Sequence, residues 1–161
     1  MKNREELFEY LNKHFGEDLM TMEGGDIGEK WITIPAEKLI DVAKFMRDDD
    51  NLLLDVLMCL SGVHYPDSEE LGVTYHTYST VNKHKLTFKV RVPVENPAVP
   101  SLESIWKTAD WHEREAHDMF GIIFENHPNL TRILCPEDWE GYPLRKDYVQ
   151  QEFYQGITTR E

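Results

Sequence analysis

Cysteine is nearly absent from this chain. Cys59 and Cys135 are the only two in 161 residues, far apart and in no C-x-x-C arrangement. An iron–sulfur cluster takes four ligands, so two thiols hold none. They are also too few for the disulfide framework of a small secreted domain. Both read as buried or inert thiols in a reducing compartment. Long apolar runs are missing too. The most apolar stretch, Leu52 to Leu60, contains Asp55, and a bilayer span needs roughly 20 apolar residues. The segment Met1-Lys2-Asn3-Arg4-Glu5-Glu6-Leu7 has no apolar h-region, so no leader is expected and a soluble, cytosolic location follows. Positive charge is scarce: 17 Lys+Arg stand against 30 Asp+Glu, a net charge of -13. That balance excludes a nucleic-acid binder and an anionic-membrane binder that work through net field. No phosphate fingerprint occurs either. Gly24-Gly25-Asp26-Ile27-Gly28 fits neither G-x-G-x-x-G nor a P-loop and precedes a strand, so it reads as a loop.

Enough apolar residues are present, 40% hydrophobic and 11% aromatic, for one domain with one core. Leu7, Phe8, Leu11 and Phe15 mark one face of a helix over 3–15. Trp31-Ile32-Thr33-Ile34 is a short strand. Pro35 opens a helix over 36–47 with Leu39, Val42, Ala43 and Met46 inward, and the acidic run Asp48-Asp49-Asp50 stops it. Residues 52–64 are apolar with mixed periodicity, leaving helix and strand open. Residues 73–80 and 86–92 alternate around the polar Asn82-Lys83-His84, a hairpin pattern. Pro93, Pro97 and Pro100 stiffen the connection to a helix expected after Ser101, with Leu102, Ile105, Trp106 and Ala109 inward. The order of elements gives an α+β fold: a single domain, mostly antiparallel sheet with flanking helices, then an extended irregular C-terminal segment. The division is 1–121 for the α+β domain and 122–161 for a docking segment packed on it and on partners.

The chemistry-bearing residues concentrate in Trp111-His112-Glu113-Arg114-Glu115-Ala116-His117-Asp118-Met119-Phe120-Gly121. Asp110 and Glu113 have capping spacing, so a helix is expected to start here and end at Gly121. Trp111, Glu115 and Asp118 share one side; Glu113, Ala116, His117 and Phe120 share the other. A carboxylate in an apolar stripe needs a cation or donors, and Arg132 or Arg145 are the candidates for Glu113. The zincin motif needs histidines at i, i+4, whereas His112 and His117 are five apart and diverge around the helix. A metal or acid–base site on Glu113, His117 and Asp118 is the enzymatic alternative. The plainer reading is a helix held by ion pairs. Trp111, Trp139, Tyr142 and Tyr148 beside charges suit a partner-binding surface.

One family shares this pattern of residues. Glu113-Arg114-Glu115, Asp118-Met119-Phe120-Gly121-Ile122, His127-Pro128-Asn129-Leu130 and Arg132-Ile133-Leu134 lead into Pro136, Asp138-Trp139 and Gly141. Pro143-Leu144-Arg145-Lys146-Asp147-Tyr148 closes the match. Together they resemble the thirty-kilodalton-type subunit of respiratory complex I, found in bacterial proton-translocating NADH:quinone oxidoreductases. The sequence departs from the family pattern at His117, at Thr131 and in Gly62-Val63-His64.

The resemblance implies a structural and assembly subunit of the peripheral arm, with no catalytic residue, metal or cofactor of its own. FMN, iron–sulfur clusters and quinone would lie on partner chains, and the partners would be the large quinone-site subunit and the iron–sulfur subunits. It further implies the cytoplasmic side of the bacterial inner membrane. Related membrane-bound hydrogenase and ferredoxin-linked complexes use similar subunits. On this basis Arg145 and Lys146 are expected to pair with carboxylates of a neighbour, and Trp139 to fill a neighbour's pocket. The stretch Gly121 to Tyr148 has only two acids in excess, Glu125, Glu137, Asp138, Glu140 and Asp147 against Arg132, Arg145 and Lys146. The denser acidic patches lie elsewhere.

Overall fold

A computed structural model describes residues 2–25 and 28–159; the Asp26-Ile27 part of the glycine loop lies outside the described residues. Helix α1, Arg4–Phe15, starts where its sequence provides a reciprocal cap. The Asn3 side chain accepts from Glu6 N–H, and Glu6 accepts from Asn3 N–H, both at 2.8 Å. Strands β1, Thr21–Glu23, and β2, Trp31–Thr33, follow. Pro35 then leads through one 3-10 turn into α2, Leu39–Asp48, whose inward residues are those read from its period. The ambiguous stretch is a strand: β3 runs Val56–Tyr65, β4 Glu70–Tyr78 and β5 Lys85–Pro93.

These strands form one sheet in the order β1-β2-β5-β4-β3. The β2–β5 pair is parallel and the other neighbours are antiparallel. Period-two alternation sorts the two faces. Leu60, Val73, Tyr75, Phe88 and Val90 join Leu7, Leu11, Val42 and Met46 in one core. Tyr75 lies opposite Phe88 with rings stacked at 4.7 Å. The other face carries Thr74, His76, Lys89 and Arg91. Lys89 Nζ sits 3.5 Å over the Trp31 ring and Arg91 4.4 Å over Tyr65, so their aliphatic stems cover aromatic surface.

The helix expected after Ser101 does not form. Residues 101–108 make tight turns, with Ile105 and Trp106 N–H both donating to Leu102 O. Two tertiary bonds fix these turns: Leu102 N–H goes to Glu113, and the Trp106 indole N–H goes to Leu54 O at 2.9 Å. Helix α3 then runs Ala109–Phe120. Its expected Asp110/Glu113 cap is absent as well. Thr108 occupies the N-cap position but donates its hydroxyl to Leu57 O, and Glu113 turns into the core.

Strand β6, Ala98–Pro100, pairs in parallel with β7, Ile123–Glu125, which ties the start of the C-terminal segment to the body. The C-terminal segment is irregular except for a short hairpin of β8, Phe153–Tyr154, and β9, Ile157–Thr158. Gln155 and Gly156 both have positive φ at its turn, the backbone that a tight hairpin requires.

Helix α3 approaches β3 closely because Gly62 has no side chain. A Cβ there would lie 2.5 Å from Phe120 Cδ2. We expect Gly62→Ala to cost about 1–3 kcal/mol through forced displacement of Phe120, read as a lower urea midpoint. An unchanged midpoint would show that this approach is not tight.

Candidate functional site

Helix α3 presents polar side chains on three sides, and each holds a different length of backbone. Asp118 is fully buried. One carboxylate oxygen accepts from the N–H groups of Ile133, Leu134 and Cys135 at 3.0, 2.7 and 2.8 Å, and the other from Arg132 at 2.9 Å. Burial raises its pKa, but the three backbone donors and the guanidinium outweigh burial and hold the carboxyl below its ordinary value. The arrangement is an anion in a nest of successive amides. By helical spacing alone Asp118 shares a side with the exposed Trp111 and Glu115. It is buried because the C-terminal segment lies over that side of the helix.

Arg132 continues outward from Asp118. Its second guanidinium nitrogen donates to Gly141 O at 3.0 Å, and its plane lies 5.4 Å from the Tyr142 ring. Tyr142 packs directly on Gly121, where a Cβ would approach it to 2.6 Å. Gly121 also ends α3 at φ 78, so one glycine serves both the left-handed cap and the close contact. One turn earlier, Arg114 donates to Thr131 O and Oγ1 at 3.1 Å, and reaches Arg132 O at 3.4 Å. Thr131, a departure from the family pattern, is therefore an anchor point.

Glu113 faces the opposite way. It accepts from Ser101 O–H at 2.6 Å and Leu102 N–H at 2.7 Å. The expected partners, Arg132 and Arg145, are engaged elsewhere. Desolvation is the largest influence on Glu113. The two donors oppose it, the Glu103 and Asp110 charges add to it, and the pKa is pushed up to about 7. The His127 Nε2 stands 3.9 Å away. Because His127 Nδ1 accepts from Asn129 N–H at 3.1 Å, Nε2 carries the proton and donates to Asp110 O at 3.2 Å. His117 Nδ1 donates to Ile122 O at 2.8 Å, inside its own turn. Glu113, His117 and Asp118 thus point to three different partners and form no joint acid–base or metal centre. Among the described residues, no group of three or more His, Cys, Asp or Glu is arranged to hold a metal ion.

The rest of the motif folds back on this protein. Arg145 makes a bidentate pair with Asp147 at 2.9 and 3.0 Å, so its carboxylate partner is internal. Lys146 N–H donates to His64 Nδ1 at 2.9 Å while its side chain is exposed. Asp138 accepts from Tyr154 O–H at 2.9 Å, and Trp139 packs on the Tyr154 ring at 5.2 Å. Tyr148 rests on Gly141, and Pro128 and Pro143 lie in the turns between these contacts. Trp111 is 63% exposed and Glu115 is exposed. Ser101, His64 and Tyr154 were not legible as site residues, since each is distant in sequence from the residue it holds.

This chain matches the family described as respiratory-chain NADH dehydrogenase, 30 Kd subunit, over residues 32–154. It is 46% identical to the corresponding NADH-quinone oxidoreductase subunit of Chloroherpeton thalassium, over 93% of this chain and 62% of that protein. It is 42% identical to the NADH-quinone oxidoreductase subunit of the same name in Chlorobium phaeobacteroides, over 93% of this chain and 91% of that protein. Among solved structures, it resembles the trypsin-resistant fragment of Nqo5 with TM-score 0.60 and 27% identity, covering 78% of this chain and 98% of that one. A component of the archaeal membrane-bound sulfane sulfur reductase shares the fold with TM-score 0.74 at 22% identity, covering 90% of this chain and 85% of that one. The helix α3 anchors and the segment they hold fall inside the matched residues, and the chain belongs to the 30 Kd subunit family of respiratory-chain NADH dehydrogenase.

Proposed function

We propose that this protein is a structural subunit of the peripheral arm of a proton-translocating NADH:quinone oxidoreductase. It holds the large quinone-site subunit and the iron–sulfur subunits in register and has no redox centre of its own. FMN, the clusters and the quinone are carried by those partners. The protein sits on the cytoplasmic side of the bacterial inner membrane as a peripheral part of the complex. No helix among the described residues is long and apolar enough to cross a membrane. The C-terminal segment, 122–161, is the docking element. The equivalent subunit of a membrane-bound hydrogenase or ferredoxin-linked complex is the second reading, favoured by the fold shared with the sulfane sulfur reductase component.

The observation that carries the proposal is where the charges of α3 go. Arg114 and Asp118 hold residues 131–135 down, and beyond them Leu144, Val149, Phe153 and Ile157 face outward. Val149 is 77% and Ile157 71% exposed. An arm rigidly held at its base with apolar side chains outward suits a surface that a partner covers. Val149→Asp combined with Ile157→Asp should leave the urea midpoint of the isolated protein unchanged, because neither side chain is buried. The same pair should sharply reduce copurification with the membrane complex. Full copurification of the double variant would remove the arm from the interface.

A further inference from the structure

The free edge of β3 is built to receive another strand. Met58 bulges the start of the strand, between Leu57 and Cys59. Beyond it, the pairing parity fixes which backbone groups are free. Ser79 N–H bonds His84 O and Val94 N–H bonds Glu69 O, so the odd-numbered β4 residues bond to β5 and the even-numbered ones to β3. By the register, Cys59, Ser61 and Val63 bond inward to β4, and Leu60, Gly62 and His64 direct N–H and C=O outward. Among the described residues those outward groups have no hydrogen-bond partner. The strand contains no charged residue and no proline from Val56 to Tyr65, two of the devices by which proteins blunt an edge, and a third, the bulge at Met58, is confined to its start.

A groove runs beside this edge. Leu60 and Gly62 of β3 line it on the sheet side, and Leu144 of the C-terminal segment also lines it. Its far wall is the stripe His112, Glu115 and Met119 of α3, at helical spacing. The Glu115 carboxylate is exposed there with no ion-pair partner among the described residues. A strand added to β3 would direct alternate side chains into this groove.

We propose that the β3 edge and the α3 groove together bind an extended segment of a partner protein by strand addition. The segment pairs with Leu60, Gly62 and His64, places an apolar side chain over Met119, and carries a Lys or Arg toward Glu115. A second copy of this protein is disfavoured as occupant, since two molecules of net charge -13 repel and two-fold pairing would bring an unpaired carboxylate with each copy. The inference rests on the docking reading above and adds a second contact, which adjoins the C-terminal arm at Leu144 and Lys146.

Amide hydrogen exchange, compared between the isolated protein and the same protein in its purified membrane complex, tests it. The Leu60, Gly62 and His64 amides are expected to exchange freely in the isolated protein and to slow at least about tenfold on assembly. A photo-crosslinker at position 58 should then join this protein to an extended segment of a different subunit. Glu115→Lys should diminish the protection while leaving the isolated protein's urea midpoint unchanged. Copurification with unchanged exchange overturns this inference alone, as does a crosslink between two copies of this protein. Failure to copurify overturns both this and the proposed function.

Discussion

Asp118→Asn should release the C-terminal arm. The substitution keeps the side chain's shape but removes the charge that four donors converge on, including three successive amides. Arg132 then loses its charge partner, and an amide NH2 competes with N–H groups for the same space. Breaking a buried, hydrogen-bonded charge pair costs about 3–5 kcal/mol. Most of that cost should appear locally, because the sheet core does not depend on residues 131–135. We therefore expect protease cleavage near 131–135 and fast exchange of the Ile133, Leu134 and Cys135 amides, with the β4 and β5 amides still protected. Equal protease resistance of variant and parent would show that Asp118 is not the anchor.

The pH dependence of this anchor has a definite sign. The folded pKa of Asp118 is depressed, so its contribution is complete above the unfolded value of about 3.9. It is lost only as pH falls through the lower folded value. The arm should stay in place in mild acid.

Glu113→Gln should have the opposite pH signature. The Glu113 pKa is raised to about 7, against an unfolded value near 4.3. Its favourable effect is fully present below the unfolded value and declines as pH rises through the folded one. The decline amounts to about 4 kcal/mol between roughly pH 4 and pH 7, at 1.36 kcal/mol for each pKa unit. Gln can still accept from Leu102 N–H and meet Ser101 Oγ without ever becoming charged. The variant should therefore match the parent near pH 4 and exceed it at pH 8. Urea midpoints at the two pH values measure this directly. A parent slope that persists in Glu113→Gln would place the titrating group elsewhere.

Local patterns carried much of the fold. The α1 and α2 faces, the β4–β5 hairpin and the glycine end of α3 could all be read because period and capping act within a few residues. Residues 52–64 could not be assigned, since an apolar run fits a buried helix or a strand until a partner strand is available. The expected helix after Ser101 failed for a related reason. Its apolar residues do face the core, but the segment is held as turns by bonds to Glu113 and Leu54, both distant in sequence.

The site was legible as a set of residues and not as a set of contacts. The order of residues from Trp111 to Tyr148 was enough to identify the family, and the near balance of charge from Gly121 to Tyr148 marked that part as different from the acidic remainder. Which acid meets which base was decided by tertiary structure alone. Arg132 went to Asp118, 14 residues earlier, and not to Glu113. The physical reason is range. Periodicity, capping and composition are set by residues within a turn or two of each other. The amides that lower Asp118 exist only once the arm has folded back across α3, and the burial that raises Glu113 only once the 101–108 turns have closed over its other side.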